Sequence, residues 1–111
     1  MRKTMLYVAF SSAVNPMAAR RNFERLACKI VGGFTRQDAV GGWTNEDTGE
    51  VVVEESCIYT FHGLDDVEDG AQEMAEWLAR HTGEHALLWE DAQGNGTFQN
   101  LDDIREERFR R

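Results

Sequence analysis

Apolar residues along the chain fall into two helical stretches and four strand-like ones. Ala19, Phe23, Leu26, Ala27 and Ile30 stand at offsets i, i+4, i+7, i+8 and i+11, which is one face of a helix. Arg20, Arg21, Arg25 and Lys29 lie mostly off that face. Val67, Ala71, Met74, Ala75 and Leu78 repeat the same offsets. Asn15-Pro16 supplies the first helix with a cap and a proline at its first helical position, and Gly32-Gly33 offers a left-handed exit. The acids of Asp65 to Asp69 crowd the first turn of the second helix, where the dipole favours negative charge, with Asp65-Asp66 as its cap. Gly83 is read as its terminator. Gly70 weakens that first turn by about 1 kcal/mol relative to alanine.

Met5 to Phe10 is too short for a helix and rich in strand formers, so it reads as a strand with Leu6, Val8 and Phe10 on one face. Phe34 to Trp43 and Val51 to Phe61 form a hairpin about the polar segment Thr44 to Glu50. Glu84 to Glu90 is a fourth strand, and Gln93 to Gly96 turns into a short extension, Thr97 to Leu101. The end of the chain, Asp102 to Arg111, is a charged turn or helix anchored by Ile104 and Phe109.

The order strand, helix, strand, strand, helix, strand is that of the split β-α-β, or ferredoxin-like, motif. The expected fold class is therefore α+β, a four-stranded antiparallel sheet of order 4-1-3-2 with both helices on one face. At 111 residues the chain is one domain, placed at 1–101 with a charged C-terminal extension at 102–111. The opposite sheet face is left open and is expected to be covered by a second copy, making a homo-oligomer.

Charge is divided unevenly. Met1 to Gln37 carries seven bases and one acid (net +6), Asp38 to Asp91 one base and fifteen acids (net −14), and the tail balances four against four. A net charge of −8 argues against direct nucleic-acid binding through a broad basic face. No apolar run nears the ~20 residues of a membrane span, and the basic, then apolar, start is read as a buried first strand and not a leader. Cys28 and Cys57 form no C-x-x-C and are read as reduced core residues, which favours a reducing cytosol.

At the hairpin, Gly33-Phe34-Thr35, Gly41-Gly42-Trp43-Thr44 and Thr48-Gly49-Glu50-Val51-Val52-Val53-Glu54-Glu55-Ser56 resemble small ferredoxin-like proteins of bacteria and phages, which implies the cytoplasm of a bacterium or of a phage-infected bacterium. The element order over residues 5 to 90 is also similar to the trimeric nitrogen-regulator-like group. That resemblance implies nucleotide binding by the hairpin loop and subunit clefts. The basic ligand-binding loop of those regulators has no counterpart, since Asn45 to Glu50 is acidic.

Arg20, Arg21 and Arg36 read either as an anion site beside the start of the first helix, with Ser11 and Ser12 as hydroxyl donors, or equally as a solvated basic helix face that pairs with the acidic half of a neighbouring subunit. Without glycines or a G-K-[ST] ending, the segment is not a phosphate loop. Trp43, beside two glycines, is an aromatic packed over a bend or else an oligomer anchor or ligand platform, with subunit contact the leading functional option. Glu54 and Glu55, adjacent in a strand, point to opposite faces. His81 and His85 are separated by Gly83 and lose helical metal-pair spacing. His62 is the histidine to watch as an acid or base.

No catalytic triad can be assembled, and neither a metal site nor a cofactor is expected. The leading expectation is a non-catalytic, oligomeric module that binds a small anionic, nucleotide-like ligand through Arg20, Arg21, Arg36, Trp43 and Tyr59. The alternative is an acidic, phage-type inhibitor or adaptor presenting Glu46, Asp47, Glu50, Glu54, Glu55, Glu73 and Glu76 to a basic host protein. A small ferredoxin-like enzyme is the minority reading.

Overall fold

A computed structural model describes residues 2–63, 67–91 and 93–109 of the chain. Its elements run β1 (Arg2–Val8), α1 (Pro16–Val31), β2 (Thr35–Thr44), β3 (Val51–Gly63), α2 (Val67–His81), β4 (Ala86–Glu90), β5 (Gly96–Asn100) and α3 (Leu101–Phe109). All pairings are antiparallel, and the sheet order is β2-β3-β1-β4-β5. The expected order of the first four strands is kept, but the sheet has five strands. The residues read as a short extension are β5, paired with β4 from Ala86–Asn100 to Glu90–Gly96. Its turn is built by Asp91, whose carboxylate accepts from the backbone N–H groups of Gln93 and Asn95.

Periodicity places the core. Leu6, Val8 and Phe10 point to the same side as Cys57, Tyr59 and Phe61, and there they meet Phe23 and Ala27 of α1 and Ala71, Met74, Ala75 and Leu78 of α2. Tyr59 is at the centre of an aromatic cluster, its ring 5.0 Å from Phe23, 5.5 Å from Phe34 and 6.3 Å from Phe61. Helix α1 starts as expected: the Asn15 side chain accepts from the Ala18 N–H, and Pro16 opens the helix. It ends at Gly32, at φ 94°, whose N–H reaches the Cys28 carbonyl.

Helix α2 ends differently. Gly83 is not among the left-handed glycines. Instead the N–H and hydroxyl of buried Thr82 both donate to the Leu78 carbonyl, so threonine and not glycine supplies the stop. The proposed cap at Asp65-Asp66 lies outside the described residues, as do the side chains of Val67 and Phe109. Of the two cysteines, Cys57 is buried as expected while Cys28 is exposed on α1, and both are free thiols. Helix α3 packs on α2 and β4, and Arg105 crosses to donate to the carbonyls of Ala79, Thr82 and Glu84. Among the described residues no helix is long and apolar enough to cross a membrane.

Candidate functional site

Strand β1 stops pairing with β3 at Val8–Cys57, but β2 and β3 continue together to Thr44–Val51. Their outer halves therefore project as a two-stranded arm beyond the rest of the sheet. Between this arm and the start of α1 lies a cleft of about 590 Å³. Phe10 and Met17 give it apolar wall, Arg20 lines it from α1, and Asp38, Glu55 and Cys57 line it from the arm. Asn15 and Pro16, by fixing where α1 begins, fix the helix side of this opening.

Arg20 and the acids differ in how they are satisfied. The Nε of Arg20 is buried, and no group among the described residues accepts its hydrogen bond. A buried donor left without an acceptor is costly and rare. Asp38 and Glu55 are exposed, Asp38 with 73% of its side chain accessible. Burial pushes the Cys57 thiol up, so at neutral pH it is a neutral part of the wall.

Behind the cleft wall runs a chain of polar contacts between three elements. The Tyr59 hydroxyl donates to Glu24 Oε2 at 2.8 Å, and Arg36 Nη1 donates to the same oxygen at 2.7 Å. Arg36 Nε then lies 3.2 Å from Asp38 Oδ1. Burial, together with the hydrogen bond to Glu24, pushes the Tyr59 hydroxyl far up. The hydrogen bond and charge of Glu24 likewise hold the Arg36 guanidinium up.

These contacts separate the residues singled out from sequence. Arg36 and Tyr59 face each other in the β2–β3 register and meet on Glu24. Arg20 lines the cleft, while Arg21 is exposed elsewhere on α1. Trp43, half exposed, is seven positions from Arg36, roughly 23 Å along the strand and on its other face. The proposed acidic surface is likewise divided. Glu46, Asp47 and Glu50 occupy the hairpin turn, Glu54 and Glu55 face opposite sides of β3, and Glu73 and Glu76 are exposed on α2. Ser11 donates to Glu54, and Ser12 accepts from the Gly83 N–H. His62 is exposed on β3. His81 stacks on Trp77, and His85 contacts Asp102.

Sequence reading missed Glu24 and Asp38. Glu24 carried a signal nonetheless, as the one acid among the seven bases of the first 37 residues.

The sequence matches no protein-family model and no curated protein. Solved structures share its fold. A phage SAM lyase in complex with S-methyl-5'-thioadenosine superposes with a TM-score of 0.69 at 13% identity, covering 88% of each chain. The apo state of a phage SAM lyase gives 0.65 at 12% identity, covering 88% of this chain and 87% of the other. B. subtilis GlnK with ATP gives 0.51 at 16% identity, over 89% of this chain and 82% of GlnK. The nitrogen-regulator-like resemblance thus holds as a fold. The expectation that the chain is not an enzyme does not stand: the phage lyase, an enzyme, is built on this fold. That expectation rested on the lack of a catalytic triad in the sequence, and it overlooked polar groups 12 and 35 residues from Glu24 that the fold brings to it.

Proposed function

We propose that the chain binds S-adenosylmethionine in the cleft beside the β2–β3 arm and cleaves it as a lyase, releasing S-methyl-5'-thioadenosine. The observation that carries this reading is the composition of the cleft: Arg20 from α1, the Asp38 and Glu55 carboxylates from the arm, and apolar wall from Phe10 and Met17. One base against two acids suits a zwitterion with an additional cation better than a polyphosphate. The ligand's carboxylate would pair with the Arg20 guanidinium, its sulfonium and ammonium would face the acids, and its adenine would take the apolar wall. The shared fold of the phage lyase supports the same ligand class.

In such a reaction the bond between the sulfonium sulfur and the aminobutyrate chain breaks, and its electron pair neutralises the sulfur. A lyase adds no water, so the substrate's own carboxylate oxygen would form the new bond to the γ-carbon as the carbon–sulfur bond breaks, giving neutral S-methyl-5'-thioadenosine and an aminobutyrolactone that keeps the ammonium charge. Asp38 and Glu55 would contribute to binding and not to rate, because the sulfonium charge they face diminishes toward the transition state and the ammonium charge does not change. What the cleft adds to rate is orientation of the chain held by Arg20. A homo-oligomer belongs to this reading, since Met5, Tyr7, Ile58 and Leu88 are only half-buried on the open sheet face and Phe98 beside them is exposed.

Incubation of the purified protein with S-adenosylmethionine, followed by chromatography, tests the activity. Release of S-methyl-5'-thioadenosine above the spontaneous rate, with KM raised in Asp38→Asn and Glu55→Gln, is the expected result. No release, and no binding by calorimetry, would overturn the proposal.

A further inference from the structure

We infer that Glu24, which does not line the cleft, sets the cleft's preference for a cationic ligand by absorbing the charge of Arg36. The inference rests on the cleft reading above and goes beyond it to the origin of selectivity. Arg36 is flanked by two carboxylates, Glu24 Oε2 at 2.7 Å and Asp38 Oδ1 at 3.2 Å. The two differ in setting: 18% of the Glu24 side chain is accessible, against 73% of Asp38. The shorter, less solvated contact is the less screened, so Arg36 is chiefly neutralised from its inner side. Tyr59 strengthens that arrangement by donating to the same Glu24 oxygen.

The three charges leave one net negative charge, and it resides at Asp38, where the cleft opens. The guanidinium then acts on Asp38 as a holder more than as a counter-charge, keeping its carboxylate against the wall through Nε. With Glu24 uncharged, the same guanidinium would cancel Asp38, and the arm side of the cleft would keep only Glu55. Glu24 is thus a specificity-determining residue that acts at a distance through Arg36.

Two ligands that differ by one methyl group and one charge test this: S-adenosylmethionine, a sulfonium, and S-adenosylhomocysteine, its neutral thioether. Glu24→Gln retains an acceptor for Tyr59 and removes only the charge. By calorimetry on the full chain, Glu24→Gln is expected to weaken S-adenosylmethionine about tenfold and S-adenosylhomocysteine less than about twofold. Adding Arg36→Met removes the unbalanced cation, and the double variant E24Q/R36M is expected to return S-adenosylmethionine to within about threefold of the parent. A merely structural role for Glu24 would weaken both ligands together, and the second substitution would deepen the loss. Equal weakening of both ligands, an unrescued double variant, or a parent chain indifferent to the methyl group overturns the inference alone. A parent chain that binds neither ligand removes the cleft reading, and this inference with it.

Discussion

A Cβ placed on Gly70 would lie 2.7 Å from Cγ2 of Ile30, closer than real side chains approach. The glycine near the start of α2 is there because α1 crosses over it. Helix propensity alone favours Gly70→Ala by about 1 kcal/mol. Overpacking against a β-branched methyl reverses that sign, and a net loss of about 1–3 kcal/mol is expected in urea denaturation. Ile30→Ala in the same chain should recover much of the Gly70→Ala loss, because the two substitutions share one contact.

Thr4 is fully buried opposite Phe61, and its hydroxyl has no hydrogen-bond partner among the described residues. Thr4→Val keeps the shape and removes the unsatisfied group. A gain of about 1 kcal/mol is expected in denaturant unfolding, with no change in m-value.

Arg105 joins α3 to the end of α2, donating to Ala79, Thr82 and Glu84 at 2.6, 2.8 and 2.8 Å. Arg105→Met strips those carbonyls of their partner and should cost about 2–4 kcal/mol. Lysine, a point charge without the planar fork, should restore less than half of it.

Burial pushes the Glu84 carboxyl up; the Ser12 hydrogen bond opposes this, and neighbouring Glu54 adds to it. A carboxyl raised in the folded state favours folding while protonated, and that contribution is lost as pH rises through the folded value. Glu84→Gln should therefore unfold at higher temperature than the parent at pH 7. The difference should vanish below the unfolded value of 4.5, and thermal melts at pH 7 and pH 4 read it directly.

Arg20 should act on the amino-acid part of the ligand and be blind to its charge at sulfur. Arg20→Met is expected to weaken S-adenosylmethionine and S-adenosylhomocysteine alike, by about tenfold. It should leave S-methyl-5'-thioadenosine, which lacks the carboxylate, unaffected in the same calorimetric titration.

The elements were legible where one face of a pattern is buried. Asn15-Pro16, the Phe23 face of α1, the Leu78 face of α2 and the hairpin all carry periodicity that survives folding. Strand β5 was not legible, because Gly96 to Asn100 lies at the sheet edge with most of its residues exposed and has little pattern to show. Thr82 as a helix stop was hidden by the stronger expectation attached to Gly83. The candidate site was legible in part. Counting back from the hairpin turn places Arg36 opposite Tyr59, but nothing local announces that Glu24 arrives from α1 to join them. Reading Arg20, Arg21 and Arg36 together as a basic patch ignored the acids brought beside them by the strand register and by α1, and the ligand class proposed above rests on those acids.

Among the described residues no third strand pairs with the arm beyond Val8–Cys57, and Val40, Val51 and Val53 are exposed along one side of it. One wall of the cleft is therefore carried on a two-stranded cantilever, while the other is rooted in the core through Phe23. Local opening of the arm breaks few buried contacts, so its amides should exchange with solvent long before those of β1. A ligand bridging Arg20 and Asp38 would tie the cantilever to the body, and slowed exchange from Ala39 to Ser56 would then report occupancy without any chemistry taking place.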